Sequence, residues 1–225
     1  MFTPDSLAFI KENRFMNSKD WFTEHKEEYR TLVLEPLCQL CDLLAPTVTN
    51  IDPQLITDHR STISRIYCDM RFSRDNMLYR DMLWISFRRD RKSFPAWPEF
   101  YFVMTTGDFF YGCGYYCARG EAMEALRKMI KRGDEAFLKA KDAYESQYDY
   151  IMDGPCFKRS RHSEYPAELR DWLDRKSIGF TYKPKTINEL FAPDLAERMN
   201  TTFMKMKPLY ELLIKAEIEA ADILN

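Results

Sequence analysis

Glycine is scarce in this chain, with seven among 225 residues, and histidine scarcer still, with three. So little glycine fits the absence of any phosphate-cradling loop, and neither a G-x-G-x-x-G nor a P-loop pattern occurs. The histidines, His25, His59 and His162, fall in different predicted elements without HExxH, HxH or Cys/His spacing, so neither a metal nor a cofactor is expected. Excess charge of one sign is also missing. Lys and Arg number 33 against 35 Asp and Glu, a formal net charge of −2, which argues against a protein built on electrostatic capture of nucleic acid or of an anionic membrane. No apolar run approaches the ~18 residues of a membrane span, and the first residues lack the basic and apolar regions of a signal peptide. The expectation is a cytoplasmic chain with no nucleic-acid or membrane partner, whose six cysteines are reduced thiols rather than a disulfide framework. Repeats, low-complexity tracts and Gly/Ser-rich linkers are absent too, so residues 1–225 read as a single domain.

What is present is a core-forming composition, 45% hydrophobic and 15% aromatic, enough at this length to bury roughly 70% of the unfolded surface without staples. Helical spacing predicts a short helix over residues 3–11. A longer one follows, capped by Asn17 or Ser18, with the stripe Trp21, Phe22, His25, Tyr29, Leu32 and Val33. Pro36 should kink or restart it and Pro46 should end it, leaving residues 51–61 as a loop. Period-two alternation marks strands over residues 65–72 and 83–88. In EFYFVMTTGDFFYGCGYYC, a turn at Gly107 and Asp108 makes a hairpin that sets Tyr101 opposite Gly114 and Val103 opposite Gly112. Helices then return over residues 121–132, 134–148 and 166–175. A strand at IGFTY and a short helix at 187–191 follow, and Pro193 and Pro208 each open a closing helix. The class is α+β, a mainly antiparallel sheet flanked by N-terminal and C-terminal helices.

Several patterns resemble sites but read better as packing. Cys38 and Cys41 have CxxC spacing, yet they sit in a helix on an apolar stripe with no matching second pair, so both thiols pack as small hydrophobes. Cys113 and Cys117 read the same way. Gly112 and Gly114 share a strand face, which either admits a close backbone approach or is filled by Tyr101 and Val103 across the strand; the register favours filling. The basic clusters RRDRK at residues 88–92 and KRSRH at 158–162 read as solvated loops. The stretch ISRIYCDMRFSRDNMLYR, residues 63–80, is different in kind. Extended, it aims Arg65, Tyr67, Asp69 and Arg71 one way and Ile66, Cys68, Met70 and Phe72 the other. Two guanidiniums flanking a carboxylate either close into an ion network or leave donors for a carboxylate or phosphate ligand.

RIYCDMRFSRDNMLY resembles the hallmark of a bacterial family known as domain of unknown function 2461, whose pattern reads Arg-x-x-Arg-Asp-x-Arg-Phe-x-x-Asp-Lys-x-x-Tyr. Arg65, Asp69, Arg71, Phe72, Asp75 and Tyr79 match it. Cys68 stands where the family has arginine and Asn76 where it has lysine. NSKDWFTEHKEEYRTLVLEP resembles the family's Asn-x-x-x-Trp-Phe entry, and the glycine-bearing hairpin strand and PLYELL fall in the expected order. The resemblance implies no assigned activity. The two departures remove two positive charges from the region that would hold an anion.

Two readings of function follow. In the first, the chain binds a small anionic ligand, whether as a binder or as an enzyme. Arg65 and Arg71 clamp its charge, Tyr79 donates a hydrogen bond, and Asp69 orients Arg71 or acts as general base. Asp75 completes the set, and Trp21, Lys26 and Tyr29 supply an opposite wall. In the second, the protein is a non-catalytic structural or interaction module in which the same charges form a buried ion-pair lattice.

Overall fold

The computed structural model of the chain describes residues 1–69, 71 and 76–223. Its helices are α1 (Pro4–Met16), α2 (Lys19–Glu24), α3 (Lys26–Tyr29), α4 (Glu35–Ile51), α5 (His59–Thr62), α6 (Gly120–Lys131), α7 (Glu135–Glu145), α8 (Ala167–Leu173) and α9 (Leu195–Ile223). Its strands are β1 (Met82–Phe87), β2 (Glu99–Thr105), β3 (Phe109–Gly114), β4 (Ile151–Asp153) and β5 (Gly179–Tyr182). They make a sheet of order β1-β2-β3-β5-β4, so the fold is α+β and antiparallel, as the alternation patterns predict. Two compact units share it: residues 1–87, 101–111 and 183–200, and residues 88–100, 112–182 and 201–225.

In the first unit, Pro4 opens α1 and Ser6 Oγ accepts the Thr3 N–H at 3.0 Å, satisfying one of the orphan donors of a helix start. The helix ends on Asn17 in the left-handed region, φ 46°. Pro36 does not break the next helix but widens it: residues Arg30–Leu34 take π geometry, and Glu35 N–H reaches back five residues to Arg30 O. The wider turn relieves the clash that a proline ring makes with the carbonyl four residues earlier. Pro46 does not end the helix either, contrary to the expectation. It lies on the exposed face, so the carbonyl it orphans faces water, and α4 runs on to Ile51. An 18-residue window of the continuous helix over Lys26–Ile51 has a mean hydropathy of 1.3, so by length and composition alone the helix is long and apolar enough to cross a membrane. Its stripe of Val33, Leu37, Leu40, Cys41, Leu44 and Val48 is buried within the protein.

The second unit is organised by two glycines. Gly114, φ +145°, and Gly154, φ +112°, lie against the chain entering β5: a Cβ on the first would strike Gly179 Cα and Ile178 O, and one on the second would strike Ser177 O. Backbone, not an aromatic side chain, therefore fills the space beside Gly114, which corrects the rescue reading. In the first unit, the hairpin turn closes through Thr105 N–H to Asp108 O at 2.8 Å, centred on Thr106 and Gly107, one residue earlier than expected. The edge strand β4 has its outward groups taken by side chains: Met152 N–H donates to Tyr144 Oη at 3.1 Å, and Arg175 donates to Gly154 O at 2.9 Å. Such capping blunts an edge that would otherwise pair with another chain. Pro208 does not begin a helix; it sits inside α9. Phe203 and Tyr210 of that helix pack on Phe100, each with ring centroids 4.9 Å away.

Buried charge in this unit is matched. Arg127, 5% exposed, donates to the carbonyls of Leu173 at 2.9 Å and Arg175 at 2.6 Å. Arg119 pairs with the fully buried Glu217, whose carboxyl is raised by its burial. Burial works on Asp134 in the same direction, but Lys215, Arg132 and the Ala136 N–H outweigh it and hold the carboxyl at about 2.

Candidate functional site

The strand expected over residues 65–72 does not form among the described residues: Ile66 lies in a bend and Arg71 in a turn, and residues 63–69 make only isolated bridges. They pair with residues 78–85 through two bridges, Ile63 with Ile85 and Tyr67 with Tyr79. Between these bridges one strand has four steps and the other six, so the ladder bulges opposite Arg65. Ile66 is buried while Arg65 and Tyr67 are exposed, so the alternation holds at those positions. Met70 and Phe72, the remainder of the apolar row, lie outside the described residues, as does Asp75.

The C-terminal turn of α1 fixes the partner segment. Asn17 Oδ1 accepts Leu78 N–H at 2.7 Å, Arg14 donates to Tyr79 O at 2.8 Å and also approaches Asp81 at 3.4 Å. Ser18 caps α2 by accepting Trp21 N–H, and α2 delivers Phe22 into a cluster of rings. Its centroid lies 5.0 Å from Tyr79, 5.5 Å from Tyr67 and 5.4 Å from Tyr29. Trp21 stacks on His25 at 4.1 Å and leans on Phe9 at 5.7 Å. Tyr29 is pushed up to about 12, by burial first and then by Cys38 and Tyr67. Behind the rings, Asn13 is fully buried and finds a partner for neither amide atom among the described residues. An amide in that state ordinarily holds a water.

The charged row is arranged differently from the expectation. Asp69 and Arg71 form a two-pronged pair, Nε to Oδ1 at 2.9 Å and Nη2 to Oδ2 at 2.7 Å, with side chains 38% and 81% exposed. Arg71's hydrogen bonds hold the Asp69 carboxyl at about 2. The pair is on the surface, so among the described residues these two charges are not part of a buried lattice. Tyr79 is 0% exposed and its hydroxyl donates to Ser18 O at 3.4 Å, so it is turned away from any ligand at the surface. Arg65 and Lys26 are exposed. The residues brought together are Asp69 with Arg71, and, less directly, Trp21 with Tyr79 through the rings of Phe9, Tyr29 and Phe22.

One member was missed. Arg80 donates its Nε to Tyr67 O at 3.1 Å and lays its guanidinium over Trp84, 4.7 Å from the ring centroid. Its backbone N–H is tied to Ile66 O at 2.8 Å. Both terminal nitrogens are left without a hydrogen-bond acceptor among the described residues, and their charge helps to lower Asp69. The even spacing of Arg80 and Trp84 on a chain of period two was the signal. A guanidinium stacked and pinned in this way has lost its freedom before a ligand arrives, while keeping a planar fork of donors.

The thiols follow their surroundings. Cys38 is raised by burial and by Asp42 and Glu35, and Cys41 is pushed up to about 12 by burial first. Neither thiol is favoured as a thiolate at neutral pH, which fits packing better than thiolate chemistry. Cys113 is buried and raised as expected, whereas Cys117 is exposed, not packed. Among the described residues no three His, Cys, Asp or Glu side chains gather closely enough to hold a metal ion. A depression of about 210 Å³ between α7 and α9 is lined by Glu135, Ala136, Lys139, Pro208, Glu211 and Lys215. Its cations are already paired, Lys139 with Glu135 and Lys215 with Asp134, so it offers little to a charged ligand.

No curated protein matches this sequence. A family model described as conserved hypothetical protein, DUF2461, matches residues 5–212, and the chain belongs to that family.

Proposed function

We propose that the protein binds a small anionic ligand, a carboxylate or phosphoryl compound, at the surface where Arg80 lies beside the Asp69–Arg71 pair. The observation that carries this reading is the state of Arg80, fixed by Tyr67 O and Trp84 with its two terminal nitrogens unengaged among the described residues. Arg71 supplies the second cation by exchanging one prong from Asp69 to the ligand. Asp69, held at about 2 by Arg71, is a poor proton acceptor at neutral pH, which favours its orienting role over general-base catalysis. Tyr67, 50% exposed, takes the place assigned to Tyr79 as the available phenol. Arg65, Lys26 and Trp21 remain candidates for the rim. The reading includes a cytoplasmic setting, supported by the six unpaired thiols.

The test is a thermal-shift panel of dicarboxylates and phosphomonoesters on the wild type and on Arg80→Ala. A compound at 100 times its Kd stabilises the fold by about 2.7 kcal/mol, a rise of roughly 5 to 11 °C for a chain of this size. The expected result is a shift in the wild type that Arg80→Ala abolishes. A silent panel, or a shift that survives the substitution, overturns the reading.

A second reading, a protein-interaction module, is favoured by Phe15 and Met16, 85% and 44% exposed at the end of α1. Under it, Phe15→Ala changes self-association or partner capture while Arg80→Ala does not.

A further inference from the structure

The KRSRH segment, expected to be a solvated loop, is held in place. Phe157 N–H donates to Asp174 O at 2.9 Å, Lys176 N–H to Pro155 O at 2.7 Å and Arg161 N–H to Asp174 Oδ1 at 3.0 Å. An isolated bridge joins Cys156 to Arg175. The loop is thereby fastened at both ends to the residues that lead into β5, and its side chains project from a fixed backbone.

Three cations converge on its one aromatic ring. Arg161 Cζ stands 4.0 Å from the Phe157 centroid, Arg127 Cζ 5.2 Å and Lys176 Nζ 5.6 Å. Each is within the reach of cation–π attraction, and all are close enough to repel one another. Arg127 is occupied by Glu124 and two carbonyls. Arg161 and Lys176 are exposed, as are Lys158 and Arg159, and none of these four has a carboxylate partner for its side chain among the described residues. The carboxylate at the loop's base, Asp174, is engaged by the Arg161 backbone N–H and by Ser160, and burial's upward pull on it is overcome by these bonds and by the charges of His162 and Arg170. Around it two buried nitrogens lack hydrogen-bond partners, His162 Nδ1, with Glu164 Oε1 no nearer than 3.9 Å, and Arg170 Nε.

We propose that this loop is a second binding site, separate from the Arg80 surface, and that it takes multiply charged phosphoryl groups. The argument is one of balance and shape. Unmatched positive charges held together by backbone anchors and a shared ring are relieved by an anion carrying more than one charge. Phe157 carries the Arg161 guanidinium on its face, which leaves the in-plane N–H groups as a fork suited to phosphoryl oxygens. Lys176 adds a point charge beside it, and Lys158 and Arg159 extend the field toward a second phosphate.

Inorganic pyrophosphate is the probe. Backbone amide spectra of the full chain are recorded while pyrophosphate is added at constant ionic strength, with Arg161→Ala, Lys176→Ala and the equal-charge control Arg91→Ala in parallel. Saturable shifts at residues 156–162 and 174–176 are expected, weakened at least tenfold by Arg161→Ala, several-fold by Lys176→Ala and unchanged by Arg91→Ala. Any shifts at the Arg80 surface are scored separately: Arg80→Ala should remove those alone and leave the shifts at residues 156–162 and 174–176, so failure here is distinguishable from failure of the Arg80 reading. Should Arg161→Ala unfold the chain, Arg161→Lys serves instead, keeping the charge and losing the fork. Absence of saturation, or equal loss in Arg91→Ala, overturns the proposal.

Discussion

Replacing Gly114 by alanine probes the packing that positions β5. The residue has φ +145°, a region that side-chain-bearing residues avoid, and the new Cβ would meet Ile178 O at 2.7 Å and Gly179 Cα closer still. The backbone conformation costs about 1 to 3 kcal/mol and overpacking against a neighbouring main chain about 1 to 3 kcal/mol more. The total, roughly 2 to 6 kcal/mol, is a large part of the 5 to 15 kcal/mol that holds a domain folded. For a chain of this length it lowers Tm by roughly 4 to 24 °C. Urea unfolding followed by circular dichroism measures it, with Gly120→Ala as the control: a Cβ there meets nothing within 4 Å, and the expected change is neutral or a gain of up to about 1 kcal/mol. If Gly114→Ala unfolds within 0.5 kcal/mol of the wild type (the ~0.5 scatter of an ordinary surface change), β5 does not pass against Gly114 and the sheet order is wrong.

Three further outcomes are expected. Arg119→Ala strands the buried Glu217 carboxylate and destabilises by about 3 kcal/mol at pH 7, while the double change Arg119→Met, Glu217→Leu recovers most of it in a urea series. Because burial raises the Glu217 carboxyl above its unfolded value, the single Arg119→Ala variant should lose stability as pH rises from the unfolded carboxylate range toward neutrality. The Asp69 carboxyl should titrate by NMR with a midpoint of about 2 and return to the ordinary carboxylate range in Arg71→Ala; any stability it contributes is present above the unfolded carboxylate pKa and lost as pH falls toward 2, and an unmoved midpoint removes the pair. Of the six thiols, Cys117 and Cys156 should react with a thiol reagent in the native state, and Cys41 and Cys113 only after unfolding.

The architecture was legible where the pattern is local. Trp21, Phe22 and Val33 at helical spacing, and the alternation of Leu83, Ile85 and Phe87, report which face is buried, and burial is what drives those elements. Prolines misled because their effect depends on which face they occupy: Pro46 interrupts a helix only if its orphaned carbonyl is buried, and here it faces water. Gly114 misled because its neighbour, Ile178, is 64 positions away in sequence and no periodicity reveals such a contact. In the site, the charge pair Asp69 and Arg71 was readable from two-residue spacing. Its exposure was not, nor was the inward turn of Tyr79, since both depend on how α1 and α2 dock through Asn17 and Phe22. Arg80 was passed over because its role comes from a tertiary seat on Trp84 and Tyr67 O rather than from a charged neighbour.

Calorimetric titration of the panel's strongest anion into the wild type and Arg80→Lys asks directly whether a pinned guanidinium fork recognises the ligand. Lysine keeps the charge and removes the planar donor pair, so affinity should fall at least tenfold with Tm unchanged. Equal affinity in the two proteins would mean that Arg80 contributes only charge, and the claim that its pinned planar fork recognises the ligand would have to be given up.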